Sequence, residues 1–182
     1  MTASQPFTSA LIMSNIKMFK YCWVWDKVRA VGAHVSKIRP MQRTEDVVIF
    51  GNGKIIYNPQ LIPRKKIRVG GKEYGRTDII GGKTTGKNEN KIYTHYQPTN
   101  VLVISNASNK DRQHPTQKPI ALFEYLILTY TNKGDLVLDN CAGSGTTGVA
   151  CKNLGRNYIL IEKEEKYVEI AQRRINAIPE RR

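Results

Sequence analysis

At 182 residues the chain can bury the core of one domain, and its 40% apolar and 24% charged residues are ordinary for a globular protein. Its 29 lysines and arginines against 15 acids leave a net charge of +14, a balance that favours phosphate-rich partners. Cys22, Cys141 and Cys151 show no Cys-x-x-Cys spacing, so neither a disulfide framework nor a metal site is suggested. With no signal peptide and no apolar run near the roughly 18 residues of a membrane span, a cytoplasmic location without membrane partners is expected.

The elements fall into three parts: residues 1–54, 55–112 and 113–182. In the first, Thr8 to Met18 is helix-like and leads into "KYCWVWDK". There Tyr21, Trp23 and Trp25 alternate with Cys22, Val24 and Asp26, the period of a strand. Alternation puts Trp23 and Trp25 on one face, so they are read as sheet packing rather than as a platform for stacking bases. "DVVIFGNGK" follows as a near-continuous apolar run ending in a turn, the pattern of a buried strand.

The second part is rich in glycine and lysine and has little amphipathic period. Between Lys54 and Arg112 there are 12 basic residues against four acids, which is eight of the 14 excess charges. Such a segment suits contact with phosphates, with Arg64, Lys65, Lys66 and Arg68 as the candidates, or else a solvated or disordered loop. Ile67, Val69, Tyr74, Ile79, Ile80, Ile92, Tyr93 and Tyr96 could anchor a small lobe. "NVLVIS" resembles a strand returning to the body.

The third part is regular. "HPTQKP" introduces a helix, with Pro119 suited to its first turn and "IALFEYLILTY" behind it. "DLVLDN" predicts a strand, "SGTTGVACKNLG" a turn and helix closed by Gly155, "NYILIE" a strand, and "KEEKYVEIAQRRI" an amphipathic helix. Strand, helix, strand implies a parallel crossover and an α/β sheet with helices on both faces.

Between the first of these strands and its helix lies "DNCAGSGTTG", Asp139 to Gly148. Such a turn brings backbone N–H groups and a helix N-terminus to the carboxyl edge of the sheet, where ligands of open α/β folds bind. Gly143 and Gly145 leave room for close approach, and Glu162, about twenty residues on, could accept from ribose hydroxyls. The Gly-x-Gly-x-x-Gly pattern alone also admits a dinucleotide. A Walker loop is absent, since no Gly-Lys-Ser/Thr follows. An acid at the strand tip, Asp139, suits a ligand with an α-amino group, and S-adenosylmethionine carries that ammonium, a carboxylate and a ribose.

Taken in order, "HPTQKP", "LVLDNCAGSGTTGVA" and "NYILIEKEEKYVEIAQRRI" closely resemble the S-adenosylmethionine-dependent DNA amino-methyltransferases of permuted motif order. "SQPF", "WVWDK" and "RPMQRTEDVVIF" are similar to the family's middle section. The resemblance implies a Rossmann-like methyltransferase sheet with a small DNA-recognition insertion, double-stranded DNA as partner and S-adenosylmethionine as cofactor. It further implies that Asp139, Ala142, Gly143, Ser144 and Gly145 hold the methionine part, that Glu162 takes the ribose, and that His114, Thr116 and Lys118 close over the site. Read without the family, His114 could simply staple the helix start and Lys118 could be a solvated lysine. Asn140 and Cys141 stand where the family more usually has Pro-Phe.

The family's reaction is methyl transfer to an exocyclic amine of an extruded base, oriented by an Asp/Asn/Ser-Pro-Pro-Tyr/Phe loop upstream of "SQPF". All eight prolines here are isolated, so no Pro-Pro pair exists and no catalytic residue is assigned. The sheet is therefore expected to be incomplete at its N-terminal side, in a truncated enzyme, half of a split enzyme or an inactive binding remnant. Such a chain is expected to have no independent catalysis, and to self-associate or pair with a complementing N-terminal half through an exposed strand. The expected acceptor is adenine N6, with cytosine N4 as the alternative.

Overall fold

In this computed structural model, residues 1–70, 92–106 and 113–179 are described. They divide into one unit made of Met1–Asn58 and Thr99–Arg182 and a second unit, Pro59–Pro98.

The first unit opens with a two-residue strand β1 (Thr2–Ala3) and helix α1 (Phe7–Ser14), which stops at Asn15, short of the Met18 expected from sequence. Strand β2 (Phe19–Val31) and strand β3 (Gln42–Phe50) then form an antiparallel hairpin. Its tip carries a single 3-10 turn, Ala33–Val35. The register places Trp23 opposite Val47 and Trp25 opposite Glu45. Near the tip the ladder is interrupted by a bulge, where Val28 sits at φ 68°, a strained value for a β-branched residue. The Val28 N–H donates to Asp26, whose carboxylate also takes both arms of the Arg43 guanidinium at 2.7 and 2.8 Å.

In the second unit, two strands among the described residues, β4 (Ile62–Val69) and β5 (Ile92–Tyr96), form an antiparallel pair, with Ile62 opposite Tyr96 and Val69 opposite Ile92. Ile67, Val69, Ile92 and Tyr96 are exposed there. Tyr74, Ile79 and Ile80 lie outside the described residues.

Back in the first unit, β6 (Val101–Val103) adds in parallel to β2, as the "NVLVIS" run anticipates, giving the strand order β1-β3-β2-β6. Helix α2 (Ile120–Tyr130) covers this sheet. Trp23, Trp25, Val47, Leu102 and Leu122 form one buried cluster, flanked by Tyr125 and Tyr130. Burying two tryptophans contributes several kcal/mol, roughly 1.5–3 for each large apolar side chain. Both indole N–H groups are satisfied, Trp23 donating to the Tyr130 hydroxyl and Trp25 to the Ile104 carbonyl. Pro119 is the residue just before α2 rather than within its first turn, in extended conformation that lets the helix begin at Ile120.

Strand β7 (Leu136–Asp139), helix α3 (Thr146–Leu154) and strand β8 (Asn157–Leu160) form the crossover, and β7 and β8 pair in parallel as expected. Gly155 ends α3 in the left-handed conformation expected of a helix-closing glycine. Helix α2 also packs on α3 and β7, where Ile127, Ala150 and Cys151 are buried beside Val137. Helix α4 (Glu165–Asn176) lies against α3. The two parallel strands form a separate two-stranded sheet among the described residues, rather than one continuous sheet with β1-β3-β2-β6. No helix among the described residues is long and apolar enough to cross a membrane.

Candidate functional site

The parallel register sets Asp139, the last residue of β7, opposite Leu160, so Glu162 stands two residues beyond the end of β8. The two carboxylates therefore emerge from neighbouring strands at the carboxyl edge, with the glycine turn between them. Ala142, Gly143, Ser144 and Gly145 are all buried.

Each carboxylate organises the turn. One Asp139 oxygen accepts from the Cys141 N–H at 3.1 Å and the other from the Thr147 hydroxyl, which lies in the first turn of α3. Glu162 accepts from the Gly143 N–H at 2.7 Å and from the N–H groups of Lys163 and Glu164 at 2.9 and 3.0 Å. These donors, Glu164 and Gly143 foremost, hold the Glu162 carboxyl below the usual carboxylate range, with a smaller contribution from His114.

The two glycines have different physical reasons. Gly143, at φ 52°, lies under the His114 ring, which a Cβ would meet at 3.4 Å. Gly145, at φ 76°, faces α4 instead, where a Cβ would fall 2.6 Å from that of Ala171. Gly145 thus lets α4 approach, which is a packing role.

His114 is fixed from two sides. Its Nδ1 accepts from the Thr116 N–H at 3.2 Å, and its ring meets Tyr167 edge-on at 4.2 Å between centroids. Lys118 pairs with Glu45 at 3.0 Å, joining the loop before α2 to β3. His114, Thr116, Lys118, Asp139, Ala142, Gly143 and Ser144 all line one cleft of about 70 Å³, the size of an end group rather than a whole nucleoside. Gly145 and Glu162 stand outside its lining.

Three further residues shape the turn. Gln117 accepts from the Ser144 hydroxyl at 2.9 Å, Thr147 holds Asp139, and Arg174 of α4 donates to the Ser144 carbonyl and hydroxyl. Arg174 is desolvated enough to lower its pKa. Nothing in the pattern of "QRRI" distinguishes it from a solvated helix arginine, because its partner lies 30 residues away.

In the second unit, Arg64 lies over the Tyr96 ring at 3.7 Å and donates to the His95 carbonyl, so its guanidinium braces the hairpin. Lys65, Lys66 and Arg68 are exposed. No cluster of three metal-ligating side chains occurs among the described residues.

The DNA methylase family model matches residues 5–173. The chain belongs to that family. A type II methyltransferase of Streptococcus pneumoniae, M2.DpnII, is 52% identical over 65 residues, which are 36% of this methylase chain and 24% of that relative. M.HpaI of Haemophilus parainfluenzae is 46% identical over 83 residues, 44% of the chain and 26% of the relative. The matched stretches thus span about a quarter of these curated relatives. The solved M1.HpyAVI–SAM complex shares the fold at a TM-score of 0.64 and 29% identity, covering 96% of this chain and 72% of that one. The cytosine-N4-specific PvuII DNA methyltransferase, at 20% identity and a TM-score of 0.58, has the same Rossmann-like fold. The expected fold class and family are thereby borne out.

Proposed function

We propose that this methylase chain binds S-adenosylmethionine at the turn between β7 and α3 and serves in methylation of a base amine in double-stranded DNA. One observation carries the reading: Asp139 and Glu162 stand at the carboxyl ends of adjacent parallel strands, flanking a buried glycine turn.

The donor set fits the cofactor. Asp139 would hold the α-ammonium, Glu162 the ribose hydroxyls, and the backbone of Ala142, Gly143 and Ser144 the space between. His114 and Thr116 would cover the turn, and Lys118 would fix that cover through Glu45. When bound, S-adenosylmethionine supplies an electrophilic methyl group. The residues named here would bind, orient and shield the cofactor. No Pro-Pro pair occurs in the sequence, so this chain alone is expected to bind cofactor without turnover. Adenine N6 is the favoured acceptor and cytosine N4 the alternative.

Lys65, Lys66 and Arg68, exposed on β4, suit DNA phosphates. One observation favours a second polypeptide as well. Leu136 and Leu138 of β7 are 60% and 62% exposed, and Ile159 of β8 is 49% exposed on the same face. β7 has β8 on one edge and no strand on the other among the described residues. A complementing strand-bearing segment, or a second copy of this chain, would cover that edge.

Calorimetric titration with S-adenosylmethionine and S-adenosylhomocysteine, followed by a labelled-methyl assay on DNA, tests the reading. Binding without transfer is expected. Indifference of a folded sample to both ligands overturns the cofactor assignment, and transfer by the chain alone overturns its need for a complement.

A further inference from the structure

Helix α4 bears on the glycine turn along one face. Tyr167, Ala171 and Arg174 follow at spacings of four and three residues, so they share one side of the helix. Tyr167 meets the His114 ring, Ala171 lies against Gly145, and Arg174 reaches Ser144. The first two are packing contacts. Arg174 differs: its guanidinium is partly desolvated and forms no ion pair among the described residues. Its Nη1 donates instead to neutral oxygens, the Ser144 carbonyl, the Ser144 hydroxyl at 2.9 Å and the Thr146 hydroxyl at 3.3 Å.

Proton counting then fixes a direction. A hydroxyl has one proton, and an arginine can only donate. The Ser144 oxygen accepts from Arg174, so its own proton goes to the Gln117 side-chain oxygen, 2.9 Å away. That oxygen also accepts the Gln113 N–H at 3.0 Å, and the Gln117 N–H donates to the His114 carbonyl at 3.0 Å. Gln117 thus closes the loop from Gln113 to Gln117 on itself and ties it to the turn below. Ser144 is 2% exposed, so water competes little for its hydroxyl, and the neighbouring cation strengthens it as a donor to Gln117.

We infer that Arg174 is a positioning residue for the cofactor cleft. It is not part of the cleft lining. It acts through Ser144 and Gln117, holding the loop that carries His114 and Thr116 down on the glycine turn. What the loop covers rests on the cofactor reading above; that the loop is held in this way does not. Without the guanidinium the Ser144 hydroxyl is free to rotate away from Gln117, and the loop loses its tie to the turn.

The test compares Arg174→Met, Ser144→Ala and Gln117→Met in the whole chain, with thermal melts confirming that each folds. Arg174→Met should weaken S-adenosylhomocysteine by about fivefold in calorimetry. Ser144→Ala should do the same, although it leaves the Ser144 carbonyl in place for Arg174, and it carries the test if Arg174→Met does not fold. A relay is read by coupling, since Arg174 and Gln117 meet only through Ser144. Added to Gln117→Met, Arg174→Met should cost less than about a further twofold, whereas independent packing roles would repeat the full loss. In the ligand-free chain, NMR should show the His114 ring and the Thr116 amide shifting in both Arg174→Met and Ser144→Ala, while the Gly155 amide at the far end of α3 stays in place. Full additivity with Gln117→Met, an unchanged affinity in Ser144→Ala, or unmoved His114 and Thr116 signals overturns the relay. If the unaltered chain binds no S-adenosylhomocysteine, the cofactor reading falls, and the ligand-free NMR shifts alone decide whether Arg174 holds the loop.

Discussion

The Gly143 N–H donates to the Glu162 carboxylate at 2.7 Å, tying the turn after β7 to the residue that follows β8. Because the Glu162 carboxyl is held below its ordinary range, its contribution to the folded turn is fully present above the ordinary glutamate value near 4.3. That contribution is lost as pH falls through the lower folded value. Acid titration followed by NMR of the Gly143 amide should show the turn loosening only below about pH 4. In Glu162→Gln that step should vanish, and S-adenosylhomocysteine should bind about tenfold more weakly or worse.

Gly145 and Gly148 serve helix contact, and alanine at either should destabilise. A Cβ at Gly148 would lie 2.5 Å from Ile175 Cδ1 and 2.8 Å from Leu160 Cδ1, both side-chain ends that can shift. Gly148→Ala should cost about 1–3 kcal/mol. Gly145→Ala meets the Ala171 backbone at 2.9 Å and adds a positive φ, so chemical denaturation should rank it as the worse of the two.

Glu45 neutralises Lys27, which has almost no access to water. Glu45→Gln should therefore cost about 3 kcal/mol in denaturant melts, because it strands a buried cation. The double change Lys27→Met with Glu45→Leu should recover most of that loss, since Lys118 is only half-buried and can turn to solvent.

The cysteines should separate by reactivity. Cys141 is exposed in the glycine turn, while Cys151 is buried in α3 with its thiol pushed up to about 11 by desolvation. Alkylation at neutral pH, read by peptide mass spectrometry, should modify Cys141 and spare Cys151 until the chain unfolds. Bound S-adenosylhomocysteine should slow the reaction at Cys141.

If β4 faces DNA, affinity should fall steeply with salt. Lys65→Ala or Lys66→Ala should weaken binding across sequences alike, lowering the slope of log affinity against log salt by about one each. Anisotropy titrations at several salt concentrations read this directly. Arg64→Ala should act differently, since its stacking on Tyr96 makes it a brace for the hairpin.

The sequence was most legible where one local signal dominated. Alternation alone puts Trp23 and Trp25 inside, and Gly155 marks the end of α3 without reference to anything distant. The turn at Asp139 and the acid at Glu162 follow from strand-turn-helix logic. What stayed hidden depends on partners far along the chain. Gln117 and Arg174 reach Ser144 across 27 and 30 residues, and the close approach of α4 to Gly145 has no local signal either. The ion pair of Glu45 with Lys118 spans 73 residues, and the bulge in β2 is one that no period announces.

Both tryptophans of the chain sit in the single cluster beneath α2, and β7, β8, α3 and α4 contain none. The protein therefore carries an internal optical probe with a restricted field of view. Its ultraviolet emission will follow the seating of α2 on the hairpin strands and stay dark to fraying of α4. A tryptophan installed at Tyr167 would extend that sight to the cofactor side, allowing the melting of the two halves to be timed against each other in one sample.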